Sequence, residues 1–183
     1  MGRDKVIFLA SAIYPYLRSE LFLQYPDDQV ESEIDRWLDT LVESGILGTD
    51  GVRITGPGEG TAARLELHTL SRFIIQTLER YYIAIATLRK HGPGTLTAAE
   101  LEDQSTLMAE RMSILFGLNA PEFFDKALFR NFIGNLQNNG VISQDENGRL
   151  SYTQALEDVS EDARVVLSVE KRQAIAEVTR LGS

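Results

Sequence analysis

Few residues in this chain are equipped for acid–base, nucleophilic or metal chemistry. There is no cysteine, and the only histidines are His68 and His91. Thiolate nucleophiles, disulfide scaffolds and Cys-ligated zinc or iron–sulfur sites are therefore excluded. Glu122 and Asp125, three apart near a helix start, fall on one helix face and come nearest to a carboxylate pair. Their simpler roles are a capping box for Glu122 and complementation of the helix dipole for Asp125. His91 closes a long apolar-striped segment, where a cation suits the negative helix end, and His68 has no partner in sequence. Arg80-Tyr81-Tyr82 offers a stacking surface, yet aromatics at helical spacing read first as core. The run Gly56-Pro-Gly-Glu-Gly60 lacks the Lys-Ser/Thr of a phosphate loop, and no serine sits in a G-x-S-x-G elbow. No residue is assigned a catalytic, cofactor-binding or metal-ligating role, and no cofactor is implied.

The chain has 183 residues, with 18 Lys+Arg against 27 Asp+Glu for a net charge of −9. With 43% hydrophobic residues it has enough apolar surface to fold rather than stay disordered. The apolar stretch from Val6 to Ile13 is short and soon followed by charge, and the one from Phe73 to Leu88 is broken by Gln76, Glu79 and Arg80. A bilayer span needs about 20 apolar residues, so no transmembrane segment and no signal peptide are expected, and the chain reads as soluble. Its start reads as a cut in a longer polypeptide rather than a natural beginning.

Helical periodicity positions most of the sequence. Residues 5–24 read as a first helix stopped by Pro26, and Asp27 as the N-cap of a second. Val30, Ile34, Trp37, Leu38, Leu41 and Val42 form the apolar stripe of that second helix, and Gly45 closes it in a left-handed C′ position. Residues 46–55 read as a hairpin and 56–60 as a linker. A long helix runs from Ala62 to Lys90, ended by His91-Gly-Pro-Gly94. Thr97-Ala-Ala-Glu100 is a capping box for a helix to Phe116, and Asn119-Ala-Pro-Glu122 repeats the device for a helix to Asn138. Gly140 precedes a second hairpin over 141–152, and Ser160 reads as the cap of a last helix through Val178.

At an offset of 95 residues, Trp37, Leu38, Leu41, Gly45, Ile46 and Leu47 fall on Phe132, Ile133, Leu136, Gly140, Val141 and Ile142. The expected fold is therefore mainly α, a helical bundle with two small helix–β-hairpin, winged-helix-like units. Residues 1–60 would hold the first unit, and 61–183 the long helix, the second unit and the last helix. Trp37 and Phe132 would be equivalent buried anchors. Nucleic acid is an unsuitable partner. The second helix carries Asp28, Glu31, Glu33, Asp35, Asp39 and Glu43 against Arg36, and Lys126 and Arg130 are offset by Glu122 and Asp125; duplex binding needs phosphate neutralisation. The N-terminal helix has more apolar residues (Val6, Ile7, Phe8, Leu9, Ile13, Tyr14, Tyr16, Leu17, Leu21, Phe22 and Leu23) than one face can bury. Its second face is expected to be a docking surface.

The segment Met108 to Phe129, with its unusual Asn119-Ala-Pro-Glu-Phe-Phe-Asp-Lys126 string, resembles the C-terminal region of the bacterial membrane-bound glycerol-3-phosphate acyltransferase. So do Tyr14-Pro-Tyr-Leu-Arg-Ser-Glu-Leu-Phe22 and Leu78-Glu-Arg-Tyr-Tyr-Ile-Ala-Ile85, in the same order. The resemblance implies an enzyme moving an acyl group from acyl-carrier protein or coenzyme A onto the 1-hydroxyl of glycerol 3-phosphate, at the cytoplasmic face of the inner membrane. It places the chemistry in a separate upstream domain carrying a histidine, four residues, then an aspartate. Five positions after His68 stands Phe73, and five after His91 stands Leu96, so no catalytic residue transfers. The implied role is a scaffold or docking region whose partner is the catalytic domain of the same polypeptide. A free-standing winged-helix-like interaction or regulatory module stays open beside it.

Overall fold

The computed structural model describes residues 1–116 and 121–180, leaving out the side chains at 19, 73, 116, 121, 122, 163 and 164. It is mainly α, as expected: α1 Arg3–Glu20, α2 Val30–Glu43, α3 Ala62–His91, α4 Ala98–Phe116, α5 Lys126–Asn138, α6 Gln154–Val166 and α7 Val169–Arg180. Short 3₁₀ turns at Asp27–Gln29 and Pro121–Phe124 precede α2 and α5. Two antiparallel hairpins follow those helices: β1 (Gly48–Thr49) pairs with β2 (Ile54–Thr55), and β3 (Ile142–Gln144) with β4 (Leu150–Tyr152). The chain divides into two compact units, residues 1–74 and 75–183.

In the first unit, the Val30, Ile34, Leu38 stripe of α2 buries against Tyr14 of α1, with Val6, Ile7, Ala10, Leu23, Tyr25 and Leu47 packed around it. The Tyr14 hydroxyl donates to the Tyr25 carbonyl and accepts from its amide, both at 3.0 Å. Arg3 ties the two helices by donating to Asp35 and Asp39, each at 2.6 Å. α1 ends at Glu20 and not near residue 24. Leu23 N–H donates to Arg18 C=O across Phe22, which takes a left-handed φ of 53°. Proline therefore does not stop this helix; a C-terminal turn does so six residues before Pro26. Asp27 is not an N-cap either, since it lies in the 3₁₀ turn and accepts from Arg18 at 3.2 Å.

In the second unit, α3 contributes Tyr81, Ile83, Ile85 and Leu88 to the core. Tyr81 stacks face to face on Phe132 of α5, with ring centroids 3.9 Å apart and an interplanar angle of 6°. The Thr97–Glu100 capping box forms as read: Thr97 N–H donates to Glu100 at 2.8 Å, and Glu100 N–H to Thr97 Oγ1 at 3.2 Å. Ser160 is corrected. It is buried inside α6 and accepts from Arg89 at 2.9 Å, while the C-terminal stretch breaks into two helices at Leu167-Ser168. Lys171 of α7 pairs with Glu79 of α3 at 3.1 Å.

The two helix–hairpin units end their helices alike. Gly45 (φ 75°) and Gly140 (φ 68°) occupy C′. Gly45 N–H donates to Val42 and Ile46 N–H to Leu41, as Gly140 does to Gln137 and Val141 to Leu136. The correspondence reaches further back than the sequence pattern did. α1 falls on α4, and the Gly2–Arg53 bridge matches the Thr97–Arg149 bridge. Each bridge adds a short third strand beside its hairpin, through Ile54 N–H to Met1 C=O and Leu150 N–H to Leu96 C=O. The second hairpin turn is one residue longer, so the offset becomes 96 from Arg53 onward. The expected equivalence of the anchors fails at Trp37, which is 40% exposed and touches Tyr25 edge-on, while Phe132 is 2% exposed.

Candidate functional site

The structure does not bring the two histidines together. His68 lies on the exposed first half of α3, and His91 ends the same helix. At 1.5 Å per residue they stand roughly 35 Å apart along it. Asp125 is the N-cap of α5, accepting from Ala127 N–H at 2.8 Å. Helical spacing therefore does not pair it with Glu122, whose side chain lies outside the described residues, as does Asn119. Arg80, Tyr81 and Tyr82 are buried, which makes this cluster core and not a ligand platform. The glycine-rich run precedes α3, where Thr61 Oγ1 accepts from Arg64 N–H at 3.2 Å.

The cations that sequence set against Glu122 and Asp125 are engaged elsewhere. Arg130 makes a two-pronged contact with buried Glu102 of α4, at 3.0 and 2.7 Å, and Lys126 donates to Asp103 at 2.5 Å. Arg130 is raised above the ordinary arginine value by its hydrogen bond to Glu102, and Lys126 above the lysine value by its bond to Asp103. This face of α5 thus docks α4, with both cations paired to carboxylates of that helix. Among the described residues no group of three or more His, Asp or Glu gathers as a metal site. The largest chemical asset is apolar surface. On α1, Leu9, Tyr14, Tyr16 and Leu17 are buried while Phe8 is 61% exposed, and Phe22 just beyond it is 87% exposed. No described helix is long and apolar enough to cross a membrane.

Comparison with known proteins decides what this assembly belongs to. Residues 1–145 match the family described as the glycerol-3-phosphate acyltransferase C-terminal region. The chain belongs to that family. It is 45% identical over 179 residues to a glycerol-3-phosphate acyltransferase of Pseudomonas fluorescens strain Pf-5, covering 97% of this chain and 22% of the relative. The acyltransferases of Ectopseudomonas mendocina (44%) and Pseudomonas syringae pv. tomato (45%) match over the same extent. The chain thus spans about a fifth of the length of these acyltransferases. No solved structure matches.

Proposed function

We propose that this chain is the non-catalytic C-terminal region of a glycerol-3-phosphate 1-O-acyltransferase, acting as a scaffold on which the catalytic part of the same polypeptide docks. The whole enzyme would acylate glycerol 3-phosphate from acyl-carrier protein or acyl-CoA, at the cytoplasmic face of the inner membrane in phospholipid biosynthesis. The observation that carries the reading is the family match over residues 1–145 in a chain covering only 22% of its relatives. The engagement of Lys126, Arg130 and Asp125 in helix docking and capping agrees with it. The order α3, strand at Thr97, α4, α5, β3, β4 supports calling the second unit winged-helix-like. The acidic faces favour protein packing over nucleic acid in that fold.

The test is complementation in trans. A Pseudomonas acyltransferase truncated before the matched region should lose activity and regain it when this chain is co-expressed. The chain alone, given glycerol 3-phosphate and acyl-CoA, should match a no-enzyme control. Turnover by the chain alone, abolished by one substitution in it, overturns the proposal.

A further inference from the structure

Matching the two halves by element order leaves α3 without a counterpart before the first strand, and α6 and α7 without one after the first hairpin. The second copy reads α3, strand at Thr97, α4, 3₁₀ turn, α5, hairpin; the first reads strand at Gly2, α1, 3₁₀ turn, α2, hairpin. What Tyr81 of α3 supplies to Phe132 of α5 in the second copy, no described residue supplies to Trp37 in the first. The side chains register the difference. Phe132 lies beneath Tyr81 and is 2% exposed, whereas Trp37 at the equivalent position is 40% exposed. Leu136, Val141 and Ile142 are buried, and their counterparts Leu41, Ile46 and Leu47 are half-buried. Leu96 is 6% exposed and its counterpart Met1 is 51% exposed. The deficit is spread over α2, its C-terminal turn and the edge strand. Of the buried counterparts, Phe132 is the one that α3 covers, through the stacked ring of Tyr81.

We infer that the first copy is completed by an amphipathic helix equivalent to α3, supplied by the residues that precede the matched region in the longer acyltransferases, which packs over Trp37. The inference rests on reading the chain as part of such a longer polypeptide. The occupant follows from the second copy. There the covering helix ends at His91 and enters the strand through the left-handed glycines Gly92 and Gly94. Its aromatic anchor, Tyr81, precedes the bridging residue Thr97 by 16 positions. The counterpart helix should therefore carry an aromatic or large apolar residue at that same spacing before the residue aligned with Gly2. A flat indole presents a larger face than the Phe132 ring, which suits it to the same stacked contact.

Trp37 is the only tryptophan of the chain, so its emission reads this face directly. A peptide copying the α3-length segment and its connection from the Pseudomonas fluorescens relative is added to the chain. It should shift Trp37 emission to the blue and cut iodide quenching severalfold, and a scrambled peptide should do neither. In the full-length relative, cysteines at the residue aligned with Trp37 and at the predicted anchor position should be joined by a short bismaleimide. A cysteine moved two positions along the predicted helix, to its far side, should not be joined. Equal cross-linking at both positions, or none at the anchor, overturns the inference. So does concentration-dependent burial of Trp37 in the chain alone, which would make a second copy the cover. Turnover by the chain alone tests the scaffold reading separately, so the two failures are told apart.

Discussion

Phe22 pays a backbone strain that its side chain does not recover. Its φ of 53° is the left-handed C′ geometry that glycine fills freely, and its ring is 87% exposed. Phe22→Gly should raise stability by up to about 1 kcal/mol, the relief of strain being partly offset by the entropy of an unfolded glycine. A higher urea midpoint checks it. Phe132 and Trp37 should respond in opposite measure. Phe132→Ala removes a buried, stacked ring and should cost ~3–5 kcal/mol, whereas Trp37→Ala should cost no more than ~1 kcal/mol because its ring is already wet. Circular dichroism in urea would show both. Glu100 gives a pH signature. Hydrogen bonds from Thr97 N–H, and then from its hydroxyl, hold this carboxylate below the ordinary glutamate value. A depressed folded-state value means that the cap contributes stability above the unfolded pKa and loses it as pH falls through the folded one. The protection of the Thr97 amide, relative to an unstructured amide at the same pH, should therefore fall on acidification below the glutamate range, and Glu100→Ala should abolish that dependence.

At the scale of elements, what was legible in the sequence was what local chemistry decides. The capping box at Thr97, the glycine stops at Gly45 and Gly140 and both hairpins depend on residues a few positions apart, and all are present. The errors have longer-range causes. Ser160 looked like a cap because serine commonly is one, yet Arg89 of α3 reaches it from 71 positions away. Trp37 sits on a regular apolar stripe, and no periodicity can say whether another element covers that stripe. The third strands at Gly2 and Thr97 rest on single bridges to distant residues and leave no pattern at all. In the candidate site, the lack of cysteine and the scarcity of histidine were readable from composition, but the commitment of Lys126 and Arg130 to α4 was not. Two predictions belong here. Gly45→Ala and Gly140→Ala should each cost about 1–2 kcal/mol, from backbone conformation alone, because an added Cβ meets nothing within 4 Å at either site. Lys171→Met strips Glu79, itself 2% exposed, of its ion-pair partner. It should cost about 2–3 kcal/mol and raise amide exchange along α7 first.

On the scale of the whole chain, the sequence passes from one compact unit to the other after residue 74, inside α3. Trp37 reports only the first unit, while helical circular dichroism reports both. Urea transitions followed by the two probes should not coincide, and tryptophan should move at the lower concentration, because Leu41, Ile46 and Leu47 of the first unit are only half-buried where their second-unit counterparts are buried. Superimposable curves would mean that the units unfold as one.

The hairpin tips bear on how such a protein can be handled. Asp50 accepts from Val52 and Arg53 N–H, and Asp145 from Asn147 and Arg149 N–H; each aspartate amide then donates to the carbonyl of the arginine. The same aspartate clamp closes loops that differ by one residue, so tip length is not part of what folds the hairpin. Lengthening an exposed loop costs little chain entropy. An epitope or a fluorophore-bearing insert between Gly148 and Arg149, beyond the contacts Asp145 makes with Asn147 and Gly148, would therefore sit on a stable post. It would give the protein a visible handle that leaves both packed units as they are.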